Sequence, residues 1–207
     1  MKTDANRRRA LVLIGASLVL PATPVLAADH RPTPRMTEGP FYPTSFPKDV
    51  DADLTRIAGK PGVAAGTILD ASGRIMDRTG KPLAHAKLEL WQCDNQGHYH
   101  HVGDAQPAGD EHFQGFGVAT TDAEGRYRFR TIKPVPYPGR TPHIHFLVRE
   151  GNRSRLVSQM FIEGEPGNAR DFLYTRLGGD ARLVTLKLAD APASSGAKLA
   201  GSLDIVV

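Results

Sequence analysis

The stretch Arg126-Tyr127-Arg128-Phe129-Arg130 decides the fold class of this 207-residue chain, because cationic and aromatic side chains alternate along it. A period of two is typical of a β-strand with one solvated and one buried face. Turn-forming residues 122–125 precede it, and segment 86–92 alternates in the same way. Further segments with strand character lie at 66–69, 74–76, 118–121, 144–148, 156–162, 183–188 and 203–207. Many short strands with regular turns predict an all-β fold, an antiparallel β-sandwich with long loops that form the functional site.

For two segments of this pattern, a specific local structure is predicted. Asp70-Ala71-Ser72-Gly73 has the composition of a turn and is predicted to separate strand 66–69 from strand 74–76. Residues 169–177 are the one segment predicted to form a short helix. The sequence shows no internal repeat, and its length predicts a single sizeable domain.

The N-terminus predicts an export signal peptide over residues 1–27. Three arginines at 7–9 precede an apolar run from Ala10 to Leu20, and small residues follow it up to Ala27. Two arginines, one spacer and two apolar residues favour the twin-arginine route, so the protein is expected to be exported to the periplasm or secreted. The apolar run is too short to span a bilayer comfortably, and no stable membrane span is expected after processing.

The mature part of the chain is predicted to comprise an extended arm, 28–53, and the β-domain, 54–207. Residues 1–27 contribute +3 to the formal charge of +4, which leaves +1 and gives little support to a nucleic-acid partner. Cys93 is the only cysteine, so no intrachain disulfide can form, and a small buried thiol is the favoured interpretation. A homo-oligomer is possible.

Two histidines and two tyrosines are the candidate metal ligands. His143 and His145 are two positions apart on a predicted strand, so both side chains leave the same face. Tyr137 lies in a Pro-rich loop just before them, and Tyr99 follows the end of another strand. Imidazole nitrogens with phenolate oxygens suit a hard trivalent ion such as iron(III). A rival set made only of imidazoles, which would favour zinc or copper, comprises His98, His100 and His101.

The segment Gly125–Pro134, followed by Tyr137 and His143-Ile144-His145, resembles the intradiol ring-cleavage dioxygenases, the family of protocatechuate 3,4-dioxygenase and catechol 1,2-dioxygenase. The resemblance extends from about Thr37 to Ile162. It implies a β-sandwich catalytic domain with a non-haem iron(III). Its implied ligands are axial Tyr137 and His145 with equatorial Tyr99 and His143, and its implied active-site residues are Arg140 and Gln159.

This resemblance implies cleavage of a catechol-type substrate, of the protocatechuate or catechol class, by O2 to a cis,cis-muconate-type diacid. Tyr137 is then also catalytic, as a ligand that leaves the metal and accepts a substrate proton. The chain is more similar to a protocatechuate 3,4-dioxygenase subunit than to a catechol 1,2-dioxygenase, and Tyr42 of the arm is a candidate substrate contact. Two alternatives remain. An exported β-sandwich binding module without catalysis leaves the four ligands unexplained, and a non-catalytic subunit is disfavoured because all four are present.

Overall fold

The computed structural model describes residues 30–104 and 109–207. The predicted signal peptide and the first two residues of the predicted arm lie outside the described residues. Within them the fold is mostly β, as predicted. Its strands are β1 (Ile68–Met76), β2 (Lys87–Trp91), β3 (Phe116–Thr120), β4 (Arg126–Ile132), β5 (His143–Glu150), β6 (Arg153–Ile162), β7 (Thr185–Asp190), β8 (Leu199–Ser202) and β9 (Ile205–Val206). No helix in this part of the chain is long and apolar enough to cross a membrane.

The strands form one nearly closed path in the order β3-β2-β5-β6-β7-β8-β1-β4, with β9 beside β1. Its outermost strands, β3 and β4, come into contact. The predicted antiparallel pairing does not extend to the whole sheet, because β6 pairs with β7, and β1 with β8 and β9, in parallel. A parallel pair needs a long crossover, and residues 163–184 supply one between β6 and β7. The packing of two sheets as a sandwich stays a prediction.

The predicted turn at Asp70–Gly73 is also wrong, because β1 runs through it without interruption. Asp70 forms salt bridges with Arg128 and Arg130 of the adjacent β4, so its carboxylate serves a cross-strand contact rather than a turn. A Cβ on Gly73 would lie only 2.0 Å from the backbone oxygen of Leu203. This glycine therefore permits a close approach of two backbone segments.

The predicted helix at 169–177 exists in two pieces. A 3-10 helix spans Asn168–Arg170, and α1 spans Phe172–Thr175, with Asp171 between them as the N-cap of α1. A second 3-10 helix spans Gly178–Val184, so β7 begins at Thr185 rather than at the predicted residue 183. The short strand β8 was not predicted, because its four residues show no alternation of polar and apolar side chains.

The two faces of β2 and β5 separate the core from the candidate site. Leu88 and Leu90 of β2, with Ile144 and Phe146 of β5, are fully buried in the main hydrophobic core. Burying one such side chain stabilises the fold by about 1.5–3 kcal/mol. Since neighbouring residues of a strand point to opposite faces, the next residues along each strand project away from this core. They include Trp91, His143 and His145.

Residues 34–37 of the arm lie along β6. The backbone N–H of Met36 donates to the carbonyl of Val157 at 2.9 Å, and the Ser158 hydroxyl donates to the carbonyl of Pro34 at 2.6 Å. The arm thereby satisfies backbone groups on the exposed edge of β6 and covers that edge.

Candidate metal centre and active site

His143 and His145 lie side by side at the start of β5, as their spacing predicts. Both side chains are buried, their ring centroids are 4.8 Å apart, and their Nε2 atoms are separated by 3.1 Å. The carbonyl of Thr141 accepts a hydrogen bond from Nδ1 of His143 at 2.7 Å, which fixes the proton on Nδ1 and leaves a lone pair on Nε2. The Nε2 lone pair of His143 therefore faces the second imidazole.

The environment keeps both imidazoles neutral. Burial, aided by the positive charge of Arg140, lowers the pKa of His143 to about 4. Burial also holds the pKa of His145 well below its usual value, and the neighbouring His143 adds to the effect. Neutral imidazoles with available lone pairs are the form that binds a metal ion.

Tyr137 and Tyr99 bring their phenol groups to the same place from two different loops. The hydroxyl of Tyr137 is 3.3 Å from Nε2 of His143. The Tyr99 ring lies edge-on to that of Tyr137, with centroids 5.7 Å apart, and 6.2 Å from that of His145. Burial raises the pKa of both phenols, and for Tyr99 it does so strongly. The four predicted ligands thus converge.

A cation fits this donor set. The hydroxyl oxygen of Tyr99 is buried beside the Tyr137 phenol but forms no hydrogen bond of normal geometry with a described residue. An unsatisfied buried polar group of this kind costs about 1–3 kcal/mol. A bound trivalent ion would occupy its lone pair and reverse the effect of burial on both phenols, because it favours the phenolate form. Two phenol oxygens and two imidazole nitrogens match the preferences of iron(III).

The rival all-imidazole site finds no support in the described part of the chain. No group of three or more His, Cys, Asp or Glu side chains there is arranged to share a metal ion. His100 packs against Phe113 and His101 against Phe41, each in an edge contact. Cys93 is buried next to the carbonyl of Val135, and burial raises the pKa of its thiol to about 12, so the interpretation as an inert buried thiol holds.

Arg140 lies beside these four residues and makes three side-chain contacts. Its Nε donates to Asp171 at 2.8 Å, its Nη2 donates to Oε1 of Gln159 at 2.6 Å, and its Nη1 approaches the hydroxyl of Tyr137 to 3.4 Å. Gln159 is directly opposite His145 in the pairing of β5 with β6. The amide of Gln159 also donates to the carbonyl of Thr37, which connects Arg140 to the arm.

A cleft of about 310 Å³ opens beside Tyr137 and Arg140. Its walls come from the Pro-rich loop 136–142 and from segment 165–171. Its volume is at the lower end of the range typical of small-molecule sites. The cleft provides room for a single aromatic ring next to the phenol of Tyr137.

Aromatic side chains of the arm and of β2 pack directly on the candidate ligands. Phe41 is stacked on Tyr99 with ring centroids 4.5 Å apart. Gly39 passes so close to His145 that a Cβ at this position would lie 3.2 Å from the imidazole Cε1. The arm therefore covers one side of the candidate ligands.

Tyr42 does not face the candidate site, contrary to its assignment as a substrate contact. Its hydroxyl donates to Glu89 at 2.7 Å, and Arg149 donates to the other oxygen of the same carboxylate at 2.7 Å. The Tyr42 ring packs edge-on against Trp91 at 5.0 Å. Tyr42 therefore anchors the arm, because its phenol is engaged by a partly buried ion pair.

Asp171 is the site residue that the sequence analysis missed. One carboxylate oxygen accepts from Nε of Arg140 and from the backbone N–H of Thr141, and the other accepts from the N–H groups of Leu173 and Tyr174. Burial acts to raise the pKa of this carboxyl, but these hydrogen bonds outweigh it and the net pKa lies below its usual value. An aspartate inside the predicted helix 169–177 was a signal for an N-cap.

The four convergent donors with the arginine beside them form a candidate metal site, and comparison with known proteins identifies the family. A family model described as "Dioxygenase" matches residues 37–206, most of the chain. The chain belongs to the intradiol ring-cleavage dioxygenase family.

Known members and solved structures resemble the chain to different degrees. The β chain of protocatechuate 3,4-dioxygenase from Burkholderia cepacia is 42% identical over 144 residues, which cover 65% of this chain and 61% of the relative. Catechol 1,2-dioxygenase 2 of Acinetobacter lwoffii is 34% identical over 166 residues, 71% of this chain and 57% of that protein. The chain thus spans less than two thirds of the length of these curated relatives.

Among solved structures, the dioxygenase domain of a dioxygenase carbohydrate-binding protein fusion from Streptomyces sp. SirexAA-E superposes with a TM-score of 0.66 at 30% identity. The match covers 86% of this chain and 98% of that domain. Catechol 1,2-dioxygenase from Acinetobacter sp. ADP1 matches with a TM-score of 0.63 at 28% identity, over 84% of this chain and 62% of the other.

Proposed function

We propose that the protein is a non-haem iron(III) dioxygenase that cleaves a catechol-type ring between its two hydroxyl-bearing carbons. The observation that carries this proposal is the convergence of Tyr99, Tyr137, His143 and His145 beside Arg140, in a chain that belongs to the intradiol family. We also propose that the chain has the β-sandwich architecture of this family. The reaction adds both atoms of O2 to the substrate and yields a cis,cis-muconate-type diacid.

In this proposal Tyr99, Tyr137, His143 and His145 hold the iron. Iron(III) held there would supply the Lewis acidity that activates a catechol-type substrate towards O2. Tyr137 has a second role, because it lines the cleft and its oxygen can accept a proton from a substrate hydroxyl. The proton then remains on Tyr137 Oη.

Arg140 is the proposed electrostatic catalyst. Its Nη1 is the nitrogen directed towards the Tyr137 hydroxyl, where substrate charge develops. A fixed guanidinium stabilises this negative charge without reorganisation. Gln159 touches the same guanidinium and lies opposite His145, which supports its proposed position next to the reacting ring.

The substrate is proposed to be a small catechol of the protocatechuate or catechol class. Relatives of comparable similarity include enzymes named for protocatechuate, catechol and hydroxyquinol, and this spread supports a catechol-type ring without selecting one substrate. Export by the twin-arginine route is proposed as well, and N-terminal sequencing of protein recovered from the periplasm or medium would test it.

Oxygen uptake by the iron-loaded protein tests the activity. Catechol, protocatechuate and hydroxyquinol are supplied separately, and the ring-opened diacid is followed by its ultraviolet absorption. Equimolar oxygen uptake and diacid formation with at least one substrate support the proposal. A protein with stoichiometric iron that consumes no oxygen with any of the three would overturn it.

A further inference from the structure

The buried carboxylate of Asp171 contacts two parts of the structure at once, the start of helix α1 and the loop that carries Arg140. Its side chain is fully buried, with the Arg140 partner 12% exposed. One oxygen caps α1, and the other holds Arg140 and the backbone of Thr141. Every strong acceptor site of the carboxylate is used within the protein, so none is free to bind a substrate, although Asp171 lines the cleft beside Tyr137.

These contacts determine which nitrogen of Arg140 is available. A guanidinium has five N–H donors in a rigid planar fork. Asp171 engages Nε and Gln159 engages Nη2, at 2.8 and 2.6 Å. Nη1 is therefore the nitrogen that the plane directs to the hydroxyl of Tyr137, at a longer 3.4 Å. Because the guanidinium is planar and two of its nitrogens are held by hydrogen bonds, the direction of the third nitrogen is also determined.

The segment that carries Asp171 is itself anchored by hydrogen bonds. The hydroxyl of Thr141 donates to the buried amide oxygen of Asn168, and Asn168 Nδ2 donates to the carbonyl of Ile162 at the end of β6. The segment before α1 is thus anchored to the same strand that carries Gln159. Asp171 and Gln159 therefore both bind Arg140, and the segments that carry them are connected to each other through β6.

We propose that Asp171 is a positioning residue for catalysis, which acts by holding the guanidinium of Arg140 so that Nη1 faces Tyr137 and the substrate. This inference rests on the proposed function for its catalytic consequence, whereas its geometric content concerns only Arg140. It assigns the short helix α1 a role in the active site, because the same side chain begins that helix.

The variant Asp171→Ser separates the two contacts of this carboxylate. Serine is a good N-cap residue, so α1 is retained, but it has no second oxygen for Arg140. We expect wild-type iron content, a crystal structure in which the Arg140 guanidinium has turned away from Tyr137, and a kcat lowered by about 100-fold. The KM is expected to change by less than about threefold, because Arg140 acts on charge that develops in the transition state.

A matched control and a double variant distinguish positioning from general stabilisation. Thr175→Val removes the hydroxyl that donates to the backbone carbonyls of Asp171 and Phe172, so it perturbs the same helix without removing a bond to the Asp171 carboxylate or to Arg140, and kcat is expected to stay at the wild-type value. In an Arg140→Ala background, Asp171→Ser is expected to cause no further loss of kcat. Asp171→Asn, which keeps the volume, provides the same readouts if the serine variant does not fold.

The proposal is overturned if Arg140 keeps its orientation in the crystal structure of Asp171→Ser, or if the losses multiply in the double variant. If the iron-loaded wild-type protein cleaves no catechol, the proposed function fails instead. The crystallographic comparison then still decides whether Asp171 positions Arg140.

Discussion

The indole of Trp91 is stacked on the imidazole of His145, with ring centroids 5.1 Å apart and planes inclined by 14°. The two residues are directly paired across β2 and β5, so the register of the sheet places one ring over the other. The arm adds Tyr42 at the edge of the indole. The orientation of a candidate ligand is therefore set by strand pairing and by aromatic packing together.

This stack predicts that Trp91→Leu weakens metal binding. Removing the flat ring frees His145 to change its rotamer, and loss of a group that orients a ligand typically costs about 10- to 100-fold in metal affinity or activity. Competition with an iron chelator would measure the change. Trp91→Phe keeps a stacking surface and should remain within a few-fold of wild type; equal losses in both variants would contradict a role for ring stacking.

Tyr99→Phe is expected to remove iron from the protein or reduce its content severely. The substitution deletes only the buried hydroxyl, which forms no hydrogen bond of normal geometry with a described residue, and it keeps the ring stacked on Phe41. Tyr174→Phe is the matched control, because the Tyr174 hydroxyl bonds Thr185 outside the site. Metal analysis of the two purified proteins provides the comparison, and full iron occupancy in Tyr99→Phe would remove Tyr99 from the ligand set.

Arg140→Ala is expected to retain iron while kcat falls by about 10²–10³-fold, the usual cost of losing one preorganised charge-stabilising group. Steady-state oxygen uptake together with metal analysis measures both quantities. Arg176, which lies over the ring of Phe172, is a control arginine outside the site. Turnover that survives in Arg140→Ala would contradict the electrostatic role.

The salt bridges of Asp70 predict a dependence of stability on pH. Burial acts to raise the pKa of Asp70, but hydrogen bonds from Arg130 and Arg128 outweigh it and the net pKa is lowered. A depressed pKa stabilises the fold above the unfolded-state value of about 3.9, and this contribution disappears as the pH falls through the folded-state value.

Asp70→Asn should therefore be less stable than wild type at pH 7, and the difference should shrink as the pH is lowered below about 4. Urea unfolding at a series of pH values measures it. A difference between the two proteins that is constant from pH 7 to pH 3 would show that ionisation of Asp70 contributes nothing.

Gly73→Ala should destabilise the fold, because the new methyl group would collide with the backbone oxygen of Leu203. Overpacking of this kind costs about 1–3 kcal/mol, and more where backbone must move. Gly179→Ala is the control, since nothing lies within 4 Å of a Cβ there. Thermal unfolding of both variants would check the contrast, and equal midpoints would show that the two backbone segments separate easily.

Features that depend on the local periodicity of the sequence were predicted, whereas features that depend on contacts between distant residues were missed. The alternation in 126–130 and the spacing of His143 and His145 reflect strand geometry, which is visible in a few residues, so β4, β5 and the convergence of both imidazoles were predicted. Asp70 and Gly73 have turn composition, but their cross-strand contacts are invisible locally, and the predicted turn was therefore wrong.

Residues that act through tertiary contacts were the hardest to find. Asp171 meets Arg140 across 31 positions of sequence, and Tyr42 meets Glu89 across 47, so neither contact follows from a local pattern. The parallel pairing of β6 with β7 was missed for the same reason, since it is reached through a long helical crossover.

A visible absorption spectrum of the purified, iron-containing protein, before and after anaerobic addition of catechol or protocatechuate, tests the central claim most directly. Ligation of iron(III) by Tyr99 and Tyr137 predicts a red-brown charge-transfer band, and a chelating catechol should shift it to longer wavelength. A protein that stays colourless with stoichiometric iron, or a band that neither catechol shifts, would contradict the account.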